Sequence, residues 1–90
     1  MPYIPSSDRQ KFAPALDMLH DAVTAHGLSN GELNYLMTTL ALLYIERHGM
    51  SYNTGSDVIK AFECAKIEFY RREMAPYEDS KIVANGDVFP

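Results

Sequence analysis

The chain has 90 residues, a formal net charge of −4 and a single cysteine. This length predicts one domain over residues 1–90, and its hydrophobic content of 47% is that of a globular and not a disordered protein. The acidic balance argues against duplex nucleic acid as a partner, because binding to phosphates requires a strong basic field.

The sequence predicts a cytoplasmic protein that does not associate with a membrane. Residues 1–5 contain no basic or long apolar region of the kind that opens a signal peptide. The most apolar run, residues 33–45, is shorter than the roughly 20 residues of a membrane-spanning helix. Cys64 has no second cysteine with which to form an internal disulfide, which favours a reducing compartment.

The first predicted helix covers about residues 8–26. Ser6 and Ser7 are suitable capping residues at its start, and Gly27 lies where a helix commonly ends. Pro14 interrupts the segment. We expect either a short turn at 8–12 followed by a helix with Pro14 in its first turn, or a kinked helix.

The second predicted helix covers about residues 29–48. Ser29 and Glu32 have the spacing of a capping box, and Gly49 ends the segment. Its apolar residues surround the helix instead of forming one stripe, which is typical of a helix covered on several sides. Two short neighbouring helices cannot provide that cover, so we expect a homo-oligomer, most simply a dimer. The alternative is that the C-terminal arm supplies the cover.

The third predicted helix covers about residues 54–74 and ends before Pro76. Residues 77–90 are polar, contain an Asn85-Gly86 turn signal, and are expected to form an irregular arm. The predicted fold class is therefore all-α, a compact bundle of three main helices with a C-terminal arm.

No catalytic residue, metal site or cofactor is predicted. His20 shares a helix face only with Asp17, whereas a metal site needs three or four converging ligands. Cys64 is in mid-helix with no adjacent histidine to activate it. Glu63 and Glu68 are five residues apart and point roughly 140° away from each other, so they do not form the acidic pair of a metal-dependent nucleotide hydrolase.

The best candidate binding site lies at the end of the third helix, where basic and aromatic residues cluster. Arginine forks and tyrosine rings suit the recognition of phosphates and bases. The candidate ligand-binding residues are Lys66, Tyr70, Arg71, Arg72 and Tyr77. The alternative is that the cations complement the helix dipole and pair with nearby carboxylates, namely Glu68, Glu73, Glu78 and Asp79.

Asn34 and Tyr35 are predicted to have a structural role. Asn34 is polar in the first turn of an otherwise apolar helix, so a buried amide there must find hydrogen-bond partners. It would either hold the 50–55 loop or fix the register of an interface.

Several segments together resemble a family of uncharacterised short helical proteins, with a domain of unknown function, from tailed phages, cyanophages included, and some bacteria. The segments are Tyr3-Ile4, Gly31-Glu32-Leu33-Asn34-Tyr35, Glu63 to Arg72, Pro76-Tyr77-Glu78-Asp79 and Asn85-Gly86-Asp87-Val88. The resemblance implies a phage or prophage origin, and hence the host cytoplasm, but no activity. The spacing of Ala65, Arg71, Met74 and Pro76 is also similar to that in the last helix of helical phage sponges that sequester cyclic-nucleotide signals as oligomers.

Three functions are compatible with these observations. The first is a non-enzymatic phage accessory protein, for host takeover or against host defence, that binds a nucleotide-like signal or a host protein as an oligomer. The second is a structural or scaffold component of the phage particle. The third is a small metal-dependent nucleotide hydrolase.

Overall fold

The computed structural model describes all residues, Met1–Pro90, and contains helices and short connections but no β-strand. The elements in chain order are α1 (Ser6–Arg9), a 3-10 turn (Gln10–Phe12), α2 (Ala13–His26), α3 (Asn30–His48), α4 (Tyr52–Phe69), a π-helical segment (Tyr70–Met74) and α5 (Ala75–Asn85). The predicted all-α class and its three main helices are confirmed.

The first predicted helix is interrupted, which was one of the two expected arrangements. A 3-10 turn separates α1 from α2, and Pro14 lies in the first turn of α2, where its missing N–H group is not needed. Gly27 ends α2 with a φ of 79°, and its N–H group donates to the carbonyl oxygen of Val23 at 2.8 Å. A residue with a side chain rarely adopts this φ, so the glycine defines the end of the helix.

Reciprocal side-chain hydrogen bonds begin both long central helices. At α3, the Glu32 N–H group donates to Ser29 Oγ at 3.1 Å and the Ser29 N–H group donates to Glu32 Oε1 at 2.8 Å, which confirms the predicted capping box. At α4, the Thr54 N–H group donates to Ser51 Oγ at 3.1 Å and the Ser51 N–H group donates to Thr54 Oγ1 at 2.9 Å. This second cap starts α4 at Tyr52, two residues before the predicted start.

The structure corrects the C-terminal arm, because residues 75–85 are helical and not irregular. Pro76 was expected to end the third helix, since it cannot donate a backbone hydrogen bond. Instead the helix widens, and the Ala75 N–H group donates to the carbonyl oxygen of Tyr70, five residues earlier. Pro76 then occupies the first turn of α5, and Gly86 ends that helix with a φ of 92°.

The chain divides into two units, Pro2–Val58 and Ile59–Pro90, with the boundary inside α4. In the first unit, α2 and α3 are not packed side by side. No residue of either unit is fully buried, and large apolar side chains such as Leu40 (69% exposed) face solvent. Local hydrogen bonding therefore accounts for the helices of each unit, but neither unit has a hydrophobic core.

None of the helices combines the length and the apolar character needed to cross a lipid bilayer.

Candidate functional site

The five predicted ligand-binding residues all lie where α4 passes through the π-helical segment into α5, in the unit Ile59–Pro90. We refer to Lys66, Tyr70, Arg71, Arg72 and Tyr77 as the junction cluster. All five side chains are exposed. The π-helical segment carries the central three of them, so its hydrogen-bond register sets where their side chains emerge.

Two of the three cations in the junction cluster are paired with carboxylates one helical turn earlier. Lys66 Nζ lies 3.4 Å from Glu63 Oε1, and the Arg71 Nε–H group donates to Glu68 Oε1 at 3.1 Å. A second N–H group of Arg71, at Nη2, donates to the same oxygen of Glu68. Exposed ion pairs of this spacing contribute only about 0.3–0.5 kcal/mol, so they balance charge locally without locking the side chains.

Tyr70 is held by a carboxylate of the next helix. Its hydroxyl group donates to Glu78 Oε1 at 2.9 Å. This hydrogen bond raises the pKa of the Tyr70 hydroxyl, because ionisation would remove the donated proton and place two negative charges together. The contact connects the π-helical segment to α5.

The two remaining members differ in their surroundings. Lys81 Nζ lies 5.6 Å from the centre of the Tyr77 ring, within the range of a cation–π contact. The side chain of Arg72, in contrast, makes no hydrogen bond or ion pair. Arg72 is therefore the member of the cluster with a whole guanidinium group available to an anion.

A shallow cleft of about 320 Å³ lies beside the cluster, between α5 and the C-terminal tail. Glu78, Lys81 and Ile82 line it from the helix, and Val88 and Phe89 line it from the tail. The cleft shares Glu78 with the hydrogen bond to Tyr70. It offers a mainly apolar surface next to charged groups.

Asn34 and Tyr35 are both exposed in the chain. The Thr38 hydroxyl group donates to Asn34 Oδ1 at 3.3 Å, so the partner of this amide is one turn away on α3. The 50–55 loop is held by other residues, since Thr54 Oγ1 donates to the carbonyl oxygen of Gly49 at 2.7 Å. Of the two roles expected for Asn34, setting the register of an interface stays a prediction.

One polar group was not found from the sequence. The Tyr44 hydroxyl group donates to Asp57 Oδ2 at 3.0 Å, and the Tyr44 ring lies 4.3 Å from the His48 ring between centres. Tyr44 and Asp57 are thirteen residues apart on α3 and α4. No local sequence pattern signals such a contact across a turn.

No group of three or more histidine, cysteine, aspartate or glutamate side chains converges in the structure. His20 Nδ1 lies 3.8 Å from Asp21 Oδ1 on the exposed surface of α2. Cys64 is a half-buried free thiol in α4.

The fold and the site define a small all-helical protein whose candidate site is an exposed cluster of partly paired cations and aromatic rings. Residues 1–88 match a family described as a domain of unknown function, DUF6899, and the chain belongs to this family. This confirms the predicted family at the level of a domain of unknown function. No curated protein and no solved structure matches the chain.

Proposed function

We propose that this protein acts by binding and not by catalysis, and that it does so as a homo-oligomer. The observation that supports this most directly is that no side chain of the single chain is fully buried, although its two longest helices, α3 and α4, begin with side-chain caps. Helices of 14 to 19 residues are marginal in water unless an apolar face is covered, because nucleation of each helix is unfavourable. We propose that another copy of the chain supplies this cover.

The ligand that we propose is a protein surface rather than a nucleotide. Lys66 and Arg71 already have carboxylate partners, and Glu78 occupies the hydroxyl group of Tyr70. A phosphate group would have to displace or approach these carboxylates, which opposes anion binding. In the unit Ile59–Pro90, exposed apolar side chains outnumber the cations that have no carboxylate partner. Apolar and aromatic surface is typical of protein interfaces.

The resemblance to proteins of tailed phages supports a phage or prophage origin and a partner from the host. A role in host takeover or against host defence fits such a small binding protein. The host cytoplasm is then its place of action.

The decisive experiment separates the two ligand classes. Purified protein is screened for thermal shift with cyclic di- and trinucleotides, and tagged protein is used in parallel to isolate partners from host lysate, each verified by titration with the purified partner. We expect no thermal shift and a partner that binds at a defined stoichiometry.

The matched variants are Arg72→Glu, which reverses the unpaired cation, and Lys60→Glu, which reverses a cation outside the junction cluster. A cyclic nucleotide could raise the melting temperature of the wild type and of Lys60→Glu but not of Arg72→Glu. That result would show that the ligand is a nucleotide and not a protein. Abundance of the protein in purified phage particles would replace the accessory role by a structural one.

A further inference from the structure

We draw no further inference here: the strongest candidate, the shallow cleft between α5 and the C-terminal tail, is lined by apolar side chains and by charges of both signs, and nothing in the structure shows what covers it.

Discussion

The hydroxyl group of Tyr44 on α3 donates a hydrogen bond to Oδ2 of Asp57 on α4, at a distance of 3.0 Å. This contact closes the turn between the two helices, in which Thr54 also donates to the carbonyl oxygen of Gly49. The hydrogen bond to Asp57 raises the pKa of the Tyr44 hydroxyl, to which burial and the negative charge of Asp57 add smaller effects in the same direction. The contact therefore makes the stability of the folded state depend on pH in the alkaline range.

The first prediction concerns this dependence. Since the pKa of Tyr44 is higher in the folded than in the unfolded chain, its contribution is complete below the ordinary value of 10.0 and decreases as the pH rises above it toward the folded value. We expect the melting temperature to fall in this range, and to fall less steeply in Tyr44→Phe. Asp57→Asn should shift the tyrosinate absorbance titration to lower pH, whereas Asp17→Asn, at a carboxylate without a hydrogen bond, should not.

The second prediction concerns the cap of α3. Ser29→Ala removes the acceptor for the Glu32 N–H group, and we expect a loss of about 1 kcal/mol in the free energy of unfolding. Chemical denaturation at one fixed protein concentration measures the loss. Ser7→Ala is the control, because the Ser7 hydroxyl makes no hydrogen bond, and it should change the free energy of unfolding by less than about 0.5 kcal/mol.

Glu32 makes the stability of the same cap depend on pH in the acidic range. The hydrogen bond from the Ser29 N–H group, and then the Ser29 side chain, lower the pKa of Glu32 below its ordinary value. Its contribution is present above that ordinary value and is lost as the pH falls through the folded value. Glu32→Gln should flatten this part of the stability profile. An unchanged profile would show that the capping box does not operate in solution.

The third prediction separates two glycines that are four residues apart. Gly27 has a φ of 79° and a ψ of −177°, a conformation almost restricted to glycine, so Gly27→Ala should cost roughly 1–3 kcal/mol. Gly31 lies inside α3 with space for a Cβ, whose nearest neighbour is Ser29 Oγ at 4.0 Å. Gly31→Ala should be neutral or stabilise by up to about 1 kcal/mol. Thermal unfolding of both variants gives the comparison, and equal losses would argue against the positive φ at Gly27.

The fourth prediction concerns Pro76. Without the proline ring, the helix can restore ordinary hydrogen bonds across residues 70–76, so Pro76→Ala should increase helical circular dichroism and stabilise by up to about 3 kcal/mol. Loss of the π register rotates α5 by about 100° relative to Tyr70, which breaks the bond to Glu78. The pKa of Tyr70 should then decrease toward its ordinary value.

Pro2→Ala is the control for the fourth prediction, since Pro2 precedes the first helix. It should leave both the circular dichroism and the tyrosinate titration unchanged. Persistence of the raised pKa in Pro76→Ala would show that the π-helical segment does not depend on the proline.

The parts of the fold that were predictable from the sequence depend on local chemistry. The Ser29–Glu32 cap begins α3, and Gly27 and Gly49 end α2 and α3. Each of these signals depends on interactions within a few residues, and each prediction agrees with the structure. The start of α4 was misplaced because its reciprocal cap uses Thr54 where the usual motif has a glutamate or glutamine. The helix continues past Pro76 because the backbone of residues 70–74 adopts the wider π-helical hydrogen-bond pattern. The helix propensities of single residues do not predict this change of pattern.

The side-chain partners of the candidate-site residues were predictable from the sequence only in part. Pairing with Glu63 and Glu68 follows from a spacing of three residues on a helix. The bond from Tyr70 to Glu78 requires the π-helical register, and the bond from Tyr44 to Asp57 requires the geometry of the turn. Both depend on backbone positions that composition and periodicity leave open.

The exposed leucines of α3 have a consequence for the lifetime of the protein in a cell. A newly synthesised copy that has met no other chain presents Leu40 and its neighbours directly to chaperones and proteases, which act on such surfaces. Under the homo-oligomer that we propose, solitary copies are expected to be removed faster than assembled ones. The abundance of the protein would then be limited by how quickly its copies meet, and its turnover would slow once they have done so.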